Sequence, residues 1–562
     1  MTKKLILYLC LHLAAISAIA QSYPTNYFSH PLHLPVSIAG DFAEIRPNHF
    51  HSGLDLRTDG KEGEPVYAPA DGYVSRINIS AWGGGKVLYI THPNGYRTVY
   101  MHLSAFCGET AKFVRNYQYT NHLYAFDIEL PKDSIKVRKG EVVALTGNSG
   151  GSTGPHLHYE IRYAENDQPI NPFYFGIQYS DPIAPTIKAI KIYPADQGTL
   201  INGKHAELRV AGEQVVRVAG RFYVGIYTYD QMEPESKNKN GVEKIELYVD
   251  DCLFFRYHVP TFLFEDTRVV NALIDYPQFQ LNREYFIITR HLRGVHANFS
   301  TALRNNGYLW FRDGKQHTLE YRVSDYKGNT SRSKVIVRSD TVTAALPQSS
   351  ILAAGEPIAY FKKFTLQRPG FKAELKANTV YDNDQVLYAV DSTSGSLAPI
   401  HRISLRRNPL PPHQSFTVTL PVPSTIPEKL RQKLTVVCIN GKTTAACSTV
   451  QKGSELEATT RSFGGFSIQL DTVPPTVKPL NFKSGTYLSH SKLNVKIADN
   501  LTGVVSYGCY INGEWQLAEH DGKTSSLTVD ASHLRKGTNK VVFILSDAVG
   551  NRTEEEFKLL KK

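Results

Sequence analysis

The chain has 562 residues, which is too long for one hydrophobic core and predicts roughly three to five domains. A hydrophobic content of 41% and a charged content of 20% are ordinary for globular proteins, and the 30 prolines, 40 glycines and 32 tyrosines, with few amphipathic helical patterns, favour mostly β structure. The formal net charge is +11, but no basic run is interleaved with aromatic residues, which argues against a nucleic-acid partner.

The N-terminus is typical of a secretory signal peptide. Two lysines precede an apolar run that ends in small residues at positions 18 and 20, which predicts residues 1–20 as the signal and cleavage before Gln21. Cys10 would be the anchor of a lipoprotein, but it lacks the preceding small residue that such sites prefer. The run is short for a membrane span and no later segment is longer and as apolar, so we expect an exported protein without a transmembrane anchor, in the periplasm or associated with the cell envelope.

The predicted mature chain keeps a positive charge and five cysteines. Loss of Lys3 and Lys4 lowers the net charge from +11 to +9, which suits an anionic envelope polymer and equally describes a solvated surface. Five is an odd number, so at least one cysteine is expected to be unpaired or to pair between chains. Cys438 and Cys447 flank a turn but would not lie opposite one another, and Cys-x-x-Cys spacing is absent, which argues against a cysteine metal site.

Residues 21–178 are predicted to form the first folded domain, with a core at about 45–175. Short glycine-punctuated strands are predicted at 65–68, 72–79, 86–92, 97–102, 142–145 and 156–162. Asn94-Gly95 predicts a hairpin between two of them. Few residues remain for helices, so the pattern favours an antiparallel β-sheet with an open groove. Residues 107–135 interrupt this pattern with several aromatics, which indicates a packed insertion that either walls the groove or is inert decoration.

Three separated motifs carry the polar residues that suit a metal site. A glycine-rich stretch from Gly147 leads into the alternating strand His156-Leu-His158-Tyr-Glu160-Ile-Arg162, whose histidines share one face. Upstream lie His51-x-x-x-Asp55 and the strand Thr98 to Ser104, in which alternation places Tyr100 and His102 on one face. Imidazole is the commonest metal ligand, so two histidines on one strand face suggest a metal site whose other ligands come from elsewhere in the chain.

These motifs, in this order, resemble the LytM/lysostaphin-type zinc metallopeptidases, which cut peptide bonds in bacterial cell-wall peptidoglycan. The matching positions are His51-x-x-x-Asp55, Tyr100-x-His102-Leu103 and Gly154-Pro-His156-Leu-His158, within about residues 45–175. The resemblance implies one Zn²⁺ held by His51, Asp55 and His158, with a fourth position for water. It also implies that His102 and His156 are the two catalytic histidines that do not bind the metal.

The sequence supports the same roles chemically. His-Glu-x-x-His does not occur, so the general base must come from elsewhere, and His102 and His156 have suitable side chains. The sequence does not decide which of the two takes the proton. Glu160 and Arg162 are candidates for supporting the ligands or lining the groove. The neighbouring polar residues without matching roles are Asn48, which either contacts substrate or shapes its loop, and the structural histidines His49 and His92.

The remainder of the chain is predicted to form three β-rich domains, at 183–340, 345–470 and 473–560. Proline-rich linkers separate them, and the first and last are internal repeats that share short alternating strands and a Ser-Asp-x-x-Gly-Asn phrase near the end. This pattern predicts immunoglobulin-like sandwiches for the first and last domains, while the middle domain matches neither. The shared phrase resembles a calcium loop, but tight turns in which Asp accepts backbone amides are the simpler interpretation.

The preferred hypothesis is an exported zinc endopeptidase that acts on cross-links or stem peptides of peptidoglycan. The alternative is a non-catalytic cell-wall-binding regulator of other hydrolases; relatives of that kind have lost ligands, whereas the ligand positions here are intact. A third hypothesis is a peptidase of ordinary proteins. The sequence identifies neither the bond that is cut, nor residues that bind substrate, nor a protein partner for the β-rich tail.

Overall fold

The computed structural model describes residues 22–211, 214–296, 300–302, 304–340, 355–391, 397–407 and 409–562. The predicted signal peptide lies outside the described residues. Strands dominate, as the composition predicts. None of the described helices has the length and apolar character needed to traverse a lipid bilayer.

The first unit, residues 22–178, is built around two sheets. Its strands are β1 (Ile38–Gly40), β2 (Ile45–Arg46), β3 (His49–Phe50), β4 (Leu54–Arg57), β5 (Pro65–Tyr67), β6 (Gly72–Ile79), β7 (Lys86–Thr91), β8 (Tyr96–Met101), β9 (Ala105–Phe106), β10 (Phe126–Glu129), β11 (Lys136–Val137), β12 (Val142–Leu145), β13 (His156–Tyr163) and β14 (Pro169–Ile170). The large sheet has the order β1-β4-β13-β8-β7-β6-β10, and β5-β12-β9 forms the small one. Apolar side chains of both sheets meet in one core.

The strand predictions for this unit are confirmed to within a residue or so at each end. The bounds of β6 and β12 match the prediction, and the pairing between β7 and β8 is antiparallel across the Asn94-Gly95 turn. Leu157, Tyr159 and Ile161 face the core and are almost fully buried, as their alternation in β13 predicts.

The insertion at 107–135 is packed, and it contains a helix that the sequence pattern does not indicate. Helix α1 (Gly108–Asn121) is followed by β10, which pairs with β6 and so extends the large sheet. The helix buries Thr110, Val114 and Gln118. Two of these three are polar, so the helix lacks the apolar stripe by which amphipathic helices are recognised.

The second unit follows the linker at 180–185. Its strands are β15 (Thr186–Pro194), β16 (Leu200–Ile201), β17 (Leu208–Val210), β18 (Val215–Ala219), β19 (Phe222–Tyr229), β20 (Lys244–Val249), β21 (Cys252–His258), β22 (Ile287–Ile288), β23 (Ser300–Ala302), β24 (Gln316–Ser324) and β25 (Thr330–Ser339). Two short helices, α2 (Val270–Leu273) and α3 (Tyr276–Asn282), lie between β21 and β22. Sheets β17-β15-β19-β22 and β16-β18-β25-β24-β20-β21-β23 contribute to one core, and the β18–β25 pair is parallel.

The third unit has two sheets that enclose a separate core. Its strands are β26 (Glu356–Ile358), β27 (Phe364–Arg368), β28 (Phe371–Leu375), β29 (Asp384–Asp391), β30 (Ile400–Leu405), β31 (Phe416–Pro421), β32 (Leu434–Asn440), β33 (Thr443–Ala446), β34 (Ser448–Lys452), β35 (Glu455–Thr460) and β36 (Gly464–Leu470), with a short helix α4 (Glu428–Arg431).

The fourth unit consists of two four-stranded sheets around its own core. Its strands are β37 (Thr476–Pro479), β38 (Lys492–Ala498), β39 (Val504–Ile511), β40 (Glu514–Gln516), β41 (Ala518–Asp521), β42 (Ser526–Asp530), β43 (Gly537–Asp547) and β44 (Arg552–Lys561). The immunoglobulin-like assignment of the second and fourth units stays a prediction. All five described cysteines are free thiols, and Cys438 lies opposite Ala445 and not Cys447.

The second unit supports the loop that carries His51. The hairpin β2–β3 inserts Ile45 and Phe50 into the core of the second unit, and the Phe50 amide donates to the Thr267 hydroxyl at 2.8 Å. The Gly241 amide donates to Asp41 at 2.7 Å on the other side of the loop. The second unit is therefore a scaffold for the first and not a detached module.

The fourth unit folds back onto the first. Trp515 packs edge-on against Tyr119 of helix α1 and stacks on His122, with ring centroids 5.3 and 5.0 Å apart. The Gly522 amide donates to the carbonyl of Ala81 at 3.2 Å, and Lys86 pairs with Glu519 at 2.9 Å. These contacts place the fourth unit against the glycine loop at 81–85.

Candidate metal centre

Strand β13 brings the separated motifs together. It lies between β4 and β8, and the antiparallel register sets His158 opposite Asp55 on one side and Met101 on the other. Directly paired residues of neighbouring strands present side chains on the same face. The spacing within β13 therefore aims His156 and His158 at the face that carries Asp55.

His51 approaches this face from the loop between β3 and β4. Its Nδ1 donates to the backbone carbonyl of Asp41 at 2.6 Å, and its ring is almost fully buried. A carbonyl only accepts, so Nδ1 carries the proton and Nε2 presents a lone pair. That lone pair points at Asp55 and His158.

Three ligand atoms converge. His51 Nε2 lies 3.0 Å from Asp55 Oδ1 and 2.9 Å from His158 Nδ1, and the last two atoms are 2.9 Å apart. These are the three residues that the sequence motifs single out, and they form a cluster of His and Asp with the spacing of a metal site. In tetrahedral coordination at 2.0–2.2 Å, neighbouring ligand atoms are roughly 3.3 Å apart, close to the triangle found here.

Hydrogen bonding behind the ligands supports a cation at this triangle. His158 Nε2 faces Glu160 Oε1 at 2.8 Å, and a carboxylate only accepts, so the neutral ring keeps its lone pair on Nδ1. Neutral His51, neutral His158 and ionised Asp55 would then aim three acceptors at one point. A zinc ion satisfies all three, and the donor set of two imidazoles and one carboxylate suits it.

The pKa values of His51 and His158 reflect the same crowding of three buried acceptor atoms. Burial lowers the pKa of His51 to about 4. Burial also opposes a charge on His158, but hydrogen bonds and charges from Asp55 and Glu160 outweigh it and raise its pKa to about 9. Without a metal ion, His158 would carry a second proton between the carboxylates of Asp55 and Glu160. A bound metal ion would displace that proton.

Arg46 and Glu44 are part of the site, and the sequence analysis does not single them out. Arg46 Nη2 donates to Asp55 Oδ2 at 2.7 Å, so it holds the carboxylate oxygen that faces away from the triangle. Glu44 Oε1 accepts from Arg46 Nε at 3.4 Å. The contact between Arg46 and Asp55 depends on the β2–β3 hairpin. The sequence around Arg46 contains no pattern that predicts this contact. Arg46 is a positioning residue for Asp55.

His102 reaches the site in a way that strand alternation does not predict. The shared face for Tyr100 and His102 is wrong, because Tyr100 is fully buried in the core and donates or accepts a hydrogen bond with Thr98 at 2.8 Å. Strand β8 ends at Met101, and His102 takes a left-handed backbone conformation with φ of 63°. That turn reverses the direction of the side chain and sends it toward the groove.

His102 and His156 lie side by side at the mouth of the site, with ring centroids 4.8 Å apart. His102 Nδ1 contacts the carbonyl of Ser149 at 2.9 Å, and His156 Nδ1 contacts that of Gly154 at 2.9 Å. Both rings therefore hold a proton on Nδ1, and a neutral ring then has its lone pair on Nε2. His156 Nε2 lies 3.3 Å from Asp55 Oδ1, and burial together with the neighbouring histidines lowers the pKa of His102 to about 3.

Glu160 and Arg162 sit behind the ligands. Glu160 is fully buried and also accepts from Ser52 Oγ at 2.6 Å and from Arg162 Nε. The Arg162 guanidinium lies 4.5 Å from the Phe264 ring of the second unit. Burial opposes ionisation of Glu160, but Arg162 and His158 prevail and lower its pKa to about 2.

The remaining polar neighbours do not enter the site. Asn48 has φ of 66° and its side-chain oxygen accepts from Asn271 of the second unit, which fits the loop-shaping alternative. His49 is exposed and contacts the carbonyl of Pro47. His92 is buried elsewhere, between the Asp71 carbonyl and the Thr98 hydroxyl.

A groove opens onto the metal centre. Its volume is about 710 Å³, and its walls include Arg46, Asp55, His102, His156 and the glycine-rich segment 151–154. Asn238 of the second unit lines the same groove. The groove is therefore bounded by two units of the chain.

Comparison with protein families finds two matches. Residues 49–120 and 116–172 match Peptidase family M23, and residues 356–471 match the Zu5-like domain. The first match covers all five histidine and aspartate positions of the site, and the second covers the third unit, which the sequence analysis leaves without an assignment.

Similar proteins match about a quarter of this chain or less. An uncharacterized metalloprotease of Haemophilus influenzae is 39% identical over 128 residues, which are 23% of this chain and 21% of that protein. The peptidoglycan DD-endopeptidase ShyA of Vibrio cholerae is 34% identical over 111 residues, 20% of each chain. The catalytic domain of the prophage-encoded M23 protein EnpA from Enterococcus faecalis is 26% identical and matches 27% of this chain and 97% of its own, with a TM-score of 0.19. The matched region spans about a fifth of the length of the Haemophilus influenzae metalloprotease and of ShyA.

Proposed function

Residues 49–172 form a domain of peptidase family M23, and from that premise we propose that the chain is an exported zinc-dependent endopeptidase of bacterial peptidoglycan. Its substrates are peptide bonds in the cross-links or stem peptides. It would act in the periplasm or at the cell envelope, since that is where this polymer lies.

The observation that carries the proposal is the convergence of three lone-pair donors beside two further histidines on one groove. His51, Asp55 and His158 would hold one Zn²⁺. When bound, zinc supplies a Lewis acid for a carbonyl and lowers the pKa of water. A non-catalytic descendant has no need to keep all five side chains in this arrangement.

The chain's own residues supply the proton chemistry. His102 and His156 present Nε2 atoms toward the groove, each backed by a carbonyl that fixes the proton on Nδ1. One imidazole would take a proton from the attacking water at its Nε2, and the other, with a proton taken up from solvent on its Nε2, would donate a hydrogen bond to the developing oxyanion. Arg46 and Glu160 would hold Asp55 and His158 in the orientation that binding requires.

The similarity to ShyA supports the proposed substrate class. ShyA is named a peptidoglycan DD-endopeptidase, so the D,D cross-link is the first bond to test. The identity to ShyA covers 20% of this chain, so what the rest of the chain binds is a separate question.

The test is digestion of intact peptidoglycan by the zinc-loaded mature chain, with the released fragments identified by mass spectrometry. We expect cross-linked dimers to be converted to monomers by the wild type. His158→Ala removes a ligand, so zinc binding and product release should fall together, by at least 10²-fold. His49→Ala is the matched control, because His49 lies two residues from His51 but contacts only the Pro47 carbonyl.

The rival functions give different results. Equal product release by wild type and His158→Ala would exclude the metal mechanism. Binding to peptidoglycan with no product would support the non-catalytic regulator. Cleavage of an unrelated protein at a comparable rate would support a general peptidase.

A further inference from the structure

A second group of acidic side chains lies at the junction between the first and second units. Asp181 comes from the linker, Asp230 follows β19 and Asp325 follows β24. One oxygen of each lies within 4.8 Å of the others. All three residues are buried, with exposures of 8%, 1% and 1%.

Two of these carboxylates have too few hydrogen-bond donors, and Asp181 accepts only one bond that the structure describes, from the Ile183 amide to Oδ1 at 3.4 Å. Both side-chain oxygens of Asp230 and Oδ2 of Asp181 are buried without a partner among the described residues. Burying an ionised carboxylate without a donor is strongly unfavourable, so these oxygens need either a proton or a cation. Asp325 differs, because its oxygens accept from the Asn329 amide at 2.9 Å and the Asn329 side chain at 2.8 Å.

The tight turn that the sequence predicts is present, and it serves to orient Asp325. The Lys327 and Asn329 amides both donate to Asp325 Oδ1, and Gly328 has φ of 89°. The Asn329 side chain also donates to the backbone carbonyl of Asp181 at 3.0 Å. Asn329 thereby ties the linker carboxylate to the turn carboxylate, which sequence alone does not reveal.

We propose that Asp181, Asp230 and Asp325 form a calcium site that fixes the linker between the first and second units. Ca²⁺ prefers hard oxygen ligands at 2.3–2.6 Å, so the ligand oxygens of one ion lie at most roughly 5 Å apart. The three carboxylate oxygens lie within 4.8 Å of one another and satisfy that limit. Two charges on the ion offset most of the charge of three carboxylates. Backbone carbonyls and water would complete the shell.

Burial, reinforced by the neighbouring carboxylates, raises the pKa of Asp230 to about 8. Burial and Asp325 raise the pKa of Asp181 to about 6. Both directions have the same cause as the short distances within the cluster, namely buried carboxylates placed next to one another.

The fourth unit provides an internal comparison. Asp471, Asp499 and Asp547 occupy the corresponding positions of the repeat and also lie within 4.8 Å of one another. There, however, Thr502 donates through amide and hydroxyl to Asp471 Oδ2, and the Leu501 and Gly503 amides donate to Asp499 Oδ2. Protein donors hydrogen-bond to most carboxylate oxygens of this second cluster. The first cluster is therefore the one whose unpartnered oxygens need a cation.

The test is calorimetric titration of the zinc-loaded mature chain with Ca²⁺, with thermal unfolding measured in parallel. We expect the wild type to bind calcium in the first cluster and to unfold at a higher temperature when calcium is present. Asp230→Asn keeps the shape but removes one charge, and it should abolish that binding event and the calcium-dependent shift. Asp499→Asn and Asp196→Asn, whose carboxylate pairs with Arg221 on the surface, should keep both.

Two further variants separate this site from the zinc centre. His158→Ala should still bind calcium, because imidazole is not a ligand that Ca²⁺ prefers. If Asp230→Asn fails to fold, Asp325→Asn and the wild-type titration decide the question. No heat and no thermal shift at millimolar Ca²⁺ in the wild type would overturn the proposal, as would an Asp230→Asn variant that binds calcium like the wild type.

Discussion

Glu160 is the residue on which the orientation of His158 depends. Its Oε1 accepts a hydrogen bond from His158 Nε2 and its Oε2 accepts one from Arg162 Nε, so the carboxylate is fixed from both sides. Such partners behind a metal ligand typically contribute 10–100-fold to metal affinity. The sequence places Glu160 on the ligand face, and the structure adds the contact that gives it a role.

Glu160→Gln is therefore expected to lower zinc affinity about 10–100-fold. The amide keeps an acceptor for His158 but removes the charge that stabilises the His158 proton and pairs with Arg162. A chelator competition assay on the folded protein measures the change. Glu165→Gln is the control, because Glu165 is exposed in the following turn; equal affinities in the two variants would contradict the assigned role.

The residues of the site differ in how far sequence predicts them. His156, His158, Glu160 and Arg162 follow from a period of two in one strand, which is a local pattern. The side-chain direction of His102 depends on one left-handed φ angle after the strand ends. A prediction that extends the strand alternation to His102 therefore gives the wrong direction. Arg46 depends on a hairpin whose position is fixed by another unit, so no nearby residue indicates it.

At the scale of elements, the β2–β3 hairpin couples the candidate metal centre to the second unit. Phe50 is 2% exposed and lies in the second unit's core, one residue before His51. The hairpin therefore positions His51 through contacts that lie outside the M23-like fold of the first unit.

Phe50→Ala should lower the free energy of unfolding by about 3–5 kcal/mol, the usual cost of removing a buried phenylalanine. It should also weaken zinc binding, because the loop that carries His51 loses its anchor. Thermal unfolding and zinc titration measure the two effects. Phe361→Ala provides the comparison, since that side chain is 54% exposed and its loss should change the free energy by less than about 0.5 kcal/mol. Unchanged zinc affinity in Phe50→Ala would show that the anchor is dispensable.

Element prediction succeeds where burial follows a regular period and fails where it does not. The strands of the first unit alternate, and their bounds are recovered closely. Helix α1 buries Thr110 and Gln118 as well as Val114, so its inward face is largely polar in composition and the apolar repeat is missing.

At the scale of the whole molecule, the chain is folded back on itself. Its fourth unit contacts helix α1 and the glycine loop at 81–85, about 400 residues away in sequence. Contacts between residues so far apart produce no periodic pattern in the sequence. The sequence therefore predicts the order of the domains but not how they pack against one another.

Gly522→Ala should disturb this arrangement. A Cβ at position 522 would lie 2.6 Å from the Ala81 carbonyl and 2.7 Å from the Trp82 ring, so the two units must separate slightly. We expect faster proteolysis within the linker at 471–476 and a larger radius of gyration by small-angle scattering. Gly508→Ala in the same unit meets only Tyr510, at an ordinary 3.5 Å, and should behave like the wild type. Identical proteolysis of the two variants would show that the contact does not hold the units together.

The glycine loop has a second neighbour, on the side of the groove. The Gly84 carbonyl accepts from the His102 amide at 2.8 Å, and the Gly83 carbonyl accepts from Gly151 at 2.7 Å. The backbone that carries the His102 imidazole is thus held by the loop whose Ala81 carbonyl accepts from Gly522 of the fourth unit. A displacement of the fourth unit would therefore act first on Ala81 and Trp82 and, through the Gly84 carbonyl, on the backbone of His102.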